Sequence, residues 1–233
     1  MCVFGMNDFL EVYDYYEPEA QQDCENIIKC FEAQVDNSGR HPNDPYTNLK
    51  ARVSSKKSGL SIFTRPQGRV CSTVTADFNE DLQMNPFVWK YVNTSVKSYR
   101  KKYDYLQQLF DNNAWRVAPN YNIQKYDGEN EGFFTLHNED SGSHPYRMLV
   151  WMIYLNDAKS GTEFPSQDRT VTPKVGRTAI WPAGFTHPHK GVTPNQGIKY
   201  IATGWFYYLP IAEPQLDGRH PDEERIRYTE IRV

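Results

Sequence analysis

The chain has no run of about 18 consecutive apolar residues, so nothing in it reads as a membrane-spanning helix. Its first residues, MCVFGMNDFLEVYDYY, lack the basic start of a secretory signal, and a cytoplasmic protein is expected. Charge of one sign is missing too. With 26 Lys and Arg against 29 Asp and Glu, the net charge of -3 gives no electrostatic ground for broad nucleic-acid or anionic-membrane binding. Cysteine is sparse, four in 233 residues, with no CxxC pair. Cys24 and Cys30 fall in a helical pattern roughly 240° apart around the axis, so they cannot bridge within it. With Cys2 and Cys71 scattered elsewhere, reduced thiols are the expectation. Internal repeats and low-complexity tracts are also absent.

What is present suits a globular core: 39% hydrophobic and 14% aromatic residues over a length that allows one large domain. In EPEAQQDCENIIKCFEAQV, Ala20, Cys24, Ile27, Ile28, Phe31 and Val35 recur at helical spacing behind Pro18, which predicts an amphipathic helix packed on a sheet. A second helix is expected over NPFVWKYVNTSVKSYRKKYDYLQQLF, with Val88, Val92, Tyr99, Tyr103, Leu106 and Phe110 on one face and Asn85-Pro86 at its start. Between the two lies a basic stretch, residues 50–69. It reads as a solvated loop or hairpin, or as a lid facing substrate. From about Ala114 the texture changes to short β-prone runs broken by Gly, Pro and Asn, which suggests an antiparallel barrel or sandwich. The expectation is therefore one α+β domain over 1–233. Residues 1–113 supply mainly helical support and loops, 114–210 the β core, and 211–233 a charged peripheral tail.

The stretch TLHNE places a histidine and a carboxylate two positions apart. On a strand they would project from one face, so His137 and Glu139 form a candidate metal pair, or else two polar residues on a loop. A non-haem Fe(II) site needs two histidines and one carboxylate on one side of the metal, with open positions opposite. The third ligand would come from WPAGFTHPHKGVTP, where His187 and His189 share strand parity and alternation cannot choose between them. Two His and one Glu also suit zinc, but no HExxH helix supports a zinc hydrolase. A non-catalytic β-sandwich that binds peptide or sugar is the alternative from another class.

The series Y-x-G, H-x-E, R, YLND, GTEF, PKVGR, WPA, H-x-G and K-Y-I-x-T-G-W, over about residues 121–208, resembles the 2-oxoglutarate/Fe(II)-dependent dioxygenases. It looks most like their prolyl 4-hydroxylase-like branch, including small single-domain phage and bacterial forms. The resemblance implies a double-stranded β-helix, the jelly-roll or cupin-like core, with iron held by His137, Glu139 and His189. The family's interval before the basic cosubstrate residue favours His189 over His187. It implies that Lys199 grips the far carboxylate of 2-oxoglutarate, with Tyr154, Thr203 and Tyr126 in the same pocket and Arg147 facing substrate. A buried ammonium at Lys199 needs such an anionic partner. Trp205 reads as core and His144 as a loop histidine. Many relatives carry Asp where this chain has Glu139, and a Glu variant also occurs; the retained carboxylate favours hydroxylation over halogenation. The implied cofactors are Fe(II), 2-oxoglutarate, O2 and ascorbate as reductant. The implied reaction is hydroxylation of a prolyl residue, a free amino acid or another small molecule, with release of succinate and CO2. The likeness to phage forms extends the expected setting to a phage-infected host's cytoplasm.

Overall fold

The structure, a computed structural model, describes residues 8–15, 18–40, 52–54, 69–78, 84–111, 115–128, 131–141, 144–192 and 197–208. Its elements in chain order are β1 (Glu11–Tyr13), α1 (Pro18–Arg40), β2 (Arg52–Ser54), β3 (Arg69–Val70), β4 (Ser72–Asp77), α2 (Asn85–Lys102), α3 (Asp104–Asp111), β5 (Trp115–Val117), β6 (Asn120–Asp127) and β7 (Gly132–Phe133). They continue with β8 (Arg147–Tyr154), β9 (Thr162–Phe164), a 3-10 turn (Pro165–Gln167), β10 (Arg169–Val171), β11 (Thr178–Pro182), β12 (Lys190–Gly191) and β13 (Ile198–Tyr208).

Alternation along β13 organises the molecule. Tyr200, Ala202 and Phe206 join the core cluster that contains Ala20, Ile27, Phe31, Val88 and Val92 of the helices. Ile201 and Trp205 join a second cluster on the opposite face, with Tyr126, Met152, Tyr154 and Phe164. A period of two on a strand buried on both sides makes this division, and it sends Lys199 and Thr203 to the second face as well. Central β13 pairs antiparallel with both β8 and β6, giving the strand order β1-β11-β8-β13-β6-β4-β2. A smaller sheet, β10-β9-β12, lies apart from it, and the fold is the double-stranded β-helix with helical support. Gly204 has to be glycine, since a Cβ there would lie 2.4 Å from Cζ2 of Trp151 on the neighbouring strand.

Helix α1 buries Ala20, Cys24, Ile27 and Phe31, the stripe expected from sequence. It is pinned to the sheet at Glu32, which accepts from Lys125 Nζ at 2.9 Å and from the Tyr200 hydroxyl. The single second helix of the sequence reading is two helices in the structure, with Tyr103 between them at φ -119°, ψ 86°. The charges explain the break. Arg100, Lys101 and Lys102 close α2 where its dipole is negative, and Asp104 opens α3 where the next dipole is positive.

Two further expectations are corrected. Residues 1–113 are not only helix and loop, because β1, β2 and β4 belong to the main sheet, with β4 beside β6. TLHNE is not a regular strand: only an isolated bridge, His137 to His189, ties it to the opposing segment. Of the basic stretch 50–69, Arg52–Ser54 and Arg69 alone are described, so the lid reading lies outside the described residues, as does the tail 211–233. No helix among the described residues is long and apolar enough to cross a membrane.

Candidate active site

A cavity of about 550 Å³ opens between the two sheets, lined by β6, β8 and β13 from one side and by β9, β12 and the 133–147 segment from the other. The backbone builds its metal-binding end. His137 and His189 exchange both main-chain hydrogen bonds, at 3.1 and 2.9 Å, and Glu139 N donates to Ala183 O at 2.9 Å. These bonds replace the strand that the sequence suggested and bring residues from distant parts of the chain to one point.

The side chains then converge. Nδ1 of His137 lies 2.8 Å from Thr135 O, and Nδ1 of His189 lies 3.1 Å from His187 O. If those nitrogens carry the protons, both Nε2 atoms present lone pairs, which is the arrangement of neutral imidazole ligands oriented from behind. Nε2 of His137 and Nε2 of His189 stand 3.5 and 3.7 Å from Oε1 of Glu139. One ligand atom from each of the three residues fits within a 4.8 Å span. Two lone pairs and a carboxylate oxygen facing one another call for a cation, so the residues present fit a divalent metal. Burial opposes ionisation of Glu139, but in the metal-free protein imidazoles that carry a proton on Nε2 outweigh it and hold the carboxyl well below the usual range; a cation bound among the three residues would take the place of those protons. Phe133 stacks on the His137 ring at 3.6 Å, while Phe164 and Trp181 pack the His189 ring at 5.4 and 5.0 Å.

His187 does not line the cavity. Its ring is buried under the N-terminal segment, with Nε2 on Asp8 O and Nδ1 on the Thr186 hydroxyl. Arg169 holds the same segment through Asp8 Oδ2 and Leu10 O, both at 2.7 Å. Among the two histidines that parity could not separate, His189 therefore faces His137 and Glu139. His144 is an exposed loop residue that lines the cavity rim.

At the other end stands Lys199, 4% exposed. Its ammonium reaches Ser160 Oγ at 3.5 Å and lies 4.9 Å over the Tyr126 ring, and no carboxylate among the described residues pairs with it. Burial pushes its pKa from 10.5 down to about 8. Such a group is a ready receptor for an anion. Tyr126 and Thr203 line the same cavity. The Tyr126 hydroxyl donates to Gln124 Oε1 at 2.7 Å, and the Thr203 hydroxyl to Trp151 O at 3.0 Å, leaving each oxygen able to accept.

Two expectations for this pocket change. Tyr154 does not line the cavity: its hydroxyl donates to Thr162 Oγ1 at 2.7 Å, and Thr162 takes the wall position. Trp205 is not simply core, because its indole Nε1 donates to Glu139 Oε2 at 3.2 Å. Arg147, expected to face substrate, lies at the rim but puts Nη1 on the same Oε2 at 2.7 Å. Sequence reading also passed over Asn122 and Gln124, which share the inward face of β6 with Tyr126. The available signal was a polar residue repeated at every second position of an otherwise buried strand.

Residues 121–207 match the family described as the 2OG-Fe(II) oxygenase superfamily. No curated protein matches the chain. Among solved structures, the chain is similar to the viral collagen prolyl hydroxylase of Paramecium bursaria Chlorella virus-1 in its 2OG complex. Identity is 14%, over 86% of this chain and 97% of that one, with a TM-score of 0.54. It is similar also to a Trichoplax adhaerens prolyl hydroxylase in complex with a hypoxia inducible factor peptide fragment, at 12% identity over 87% and 84% of the two chains and a TM-score of 0.54. A Pseudomonas putida prolyl-4-hydroxylase gives 12% identity over 87% and 94%, with a TM-score of 0.50. At these identities the likeness is one of fold.

Proposed function

We propose that this chain, with a 2OG-Fe(II) oxygenase match over residues 121–207 and the fold of the prolyl hydroxylases, is a 2-oxoglutarate/Fe(II)-dependent dioxygenase that hydroxylates a prolyl residue in a peptide or protein and releases succinate and CO2. The observation that carries the cosubstrate half of this reading is Lys199, a buried cation with no carboxylate partner among the described residues, in the cavity that holds the His–Glu–His cluster. A dicarboxylate answers both features: one end at the metal, the other on the ammonium.

In this reading His137 Nε2, Glu139 Oε1 and His189 Nε2 are the atoms that would hold Fe(II). The bound iron supplies the oxygen activation that breaks an unactivated C–H bond. Lys199 binds the far carboxylate of 2-oxoglutarate. Thr203, Tyr126 and Thr162 shape the pocket around it, and Tyr154 fixes Thr162 from behind. The apolar wall formed by Met152, Ile201 and Phe133 keeps water from the reacting carbon.

For the substrate, the lining favours a peptidyl group over a free amino acid. Glu139 is the only carboxylate among the described lining residues, and Arg147 already occupies it, so nothing there receives an α-ammonium. A residue within a peptide brings no such charge, and its carbonyls suit the polar rim of Asn138, Ser141 and His144. The fold likeness to prolyl hydroxylases points to proline. The test is succinate release from labelled 2-oxoglutarate with Fe(II) and ascorbate, across proline-containing peptides and free amino acids, with product mass read in parallel. A product heavier by about 16 Da from peptides alone is expected for insertion of one oxygen atom. Coupled turnover on free amino acids alone would remove the peptidyl reading. Absence of any succinate from the Fe(II)-loaded protein would remove the catalytic one.

A further inference from the structure

We propose that Arg147 and Trp205 form a clamp that fixes which oxygen of Glu139 faces the metal, making both of them positioning residues. The two carboxylate oxygens have different surroundings. Oε1 faces Nε2 of His137 and of His189, whereas Oε2 accepts from Arg147 Nη1 at 2.7 Å and from Trp205 Nε1 at 3.2 Å. Arg147 Nη1 also reaches Glu139 O at 3.2 Å, and its Cζ lies over the Trp205 ring at 3.5 Å from the centroid. Each member thus holds the other two. The arginine opens β8 and the tryptophan sits in β13, and the antiparallel pairing of those strands sets their separation.

The need for a clamp follows from Glu139 itself. It stands on a segment with no regular strand, held at its own N–H by Ala183 O, and glutamate has one more rotatable bond than aspartate. Left free, the carboxylate could chelate through both oxygens and close a position that the cosubstrate needs. With Oε2 occupied by two N–H donors, only Oε1 is offered. One effect opposes the clamp: the guanidinium charge repels a metal cation. Trp205 separates the two effects, because its N–H orients Oε2 without carrying charge.

This inference rests on the reading that His137, Glu139 and His189 hold a divalent metal. The test uses the full chain without 2-oxoglutarate, titrated anaerobically with Co(II), reading both affinity and visible spectrum. Trp205→Phe keeps the ring and removes the donor, and is expected to weaken Co(II) binding by about 3- to 10-fold; Arg147→Gln should weaken it by about 10- to 100-fold, and both should alter the Co(II) spectrum. Arg147→Lys, which keeps the charge and loses the fork, should fall between parent and Arg147→Gln. In a Glu139→Asp background, where the shorter side chain cannot meet both clamp and metal, adding Arg147→Gln should change affinity less than about threefold. Melting curves of the metal-free variants confirm that each is folded.

Unchanged or tighter Co(II) binding in Arg147→Gln, with the parent spectrum, would overturn the clamp. So would an effect of that variant confined to the KM for substrate, which would place Arg147 against substrate instead. A parent protein that binds no Co(II) would overturn the metal reading beneath it, a result distinct from either.

Discussion

Replacing Lys199 by methionine should make the empty protein more stable and its cosubstrate weaker. The ammonium is 4% exposed, and burial lowers its pKa from 10.5 to about 8. At about 1.4 kcal/mol per pH unit, keeping that charge in the folded state below pH 8 costs on the order of 3 kcal/mol. The folded pKa lies below the unfolded one, so between about pH 8 and 10.5 the unfolded chain holds more protons and parental stability rises with pH. Methionine fills the same space without a charge. At pH 7 the variant should therefore melt higher than the empty parent by roughly 6–12 °C, given about 2–4 °C per kcal/mol for a chain of this size. The gap should close as pH approaches 10. Ligand should reverse the ranking. A charge-assisted bond contributes about 1.5–3 kcal/mol, so 2-oxoglutarate with Mn(II) should bind the variant about 10- to 150-fold more weakly and stabilise it less. The assay is thermal unfolding from pH 7 to 10, with and without Mn(II) and 2-oxoglutarate under nitrogen. A variant that melts below the parent at every pH, and responds equally to 2-oxoglutarate, would refute both the strain and the assignment.

In the parent protein, apparent affinity for 2-oxoglutarate should fall about tenfold between pH 7 and 9, because Lys199 is charged below about 8 and neutral above it. Anaerobic titration calorimetry reads this directly, and a flat profile would count against Lys199 as the anion receptor. His137→Ala and His189→Ala should each lose metal, while His187→Ala should retain it in a metal-content measurement. Because His187 Nε2 partners Asp8 O in a buried position, His187→Ala should instead lower stability by about 1–3 kcal/mol; loss of metal in His187→Ala with retention in His189→Ala would reverse the ligand assignment. Gly161→Ala would set a Cβ 2.3 Å from the Val171 carbonyl oxygen. It should lower the melting temperature by several degrees and disturb the Ser160–Thr162 wall, and a variant that melts like the parent would show that the β9–β10 hairpin gives way easily.

The parts of the fold legible in the sequence were those with a strong local signal. Helix α1 could be placed because its apolar residues recur at a period of 3.6, and strands β8 and β13 because they are β-prone apolar runs bounded by turn residues. Strand β4 was missed because STVTAD is short and polar, with Val74 and Ala76 alone buried as its hydrophobic pair. Parity could not separate His187 from His189, since what separates them is Asp8, remote in the chain, whose carbonyl captures the His187 ring. Trp205 read as core for a similar reason: its contact with Glu139 depends on Arg147 lying across the indole, a three-residue relation that no spacing encodes. Tyr154 stood at the expected position yet behind the wall, because Thr162 enters from the opposite sheet.

The backbone pairing between His137 and His189 has a consequence in time. The two histidines are joined by mutual main-chain hydrogen bonds, and the strand carrying Lys199 and Trp205 follows both in the chain. As the polypeptide leaves the ribosome, His137 and Glu139 emerge long before either their partner histidine or the tryptophan that steadies the carboxylate. A metal ion meeting that early fragment finds two ligands on an unpaired segment, too few to hold it. Selectivity for the right cation is thus deferred until the sheet has closed, when the geometry of a finished cavity, rather than the affinity of exposed side chains, decides what is bound.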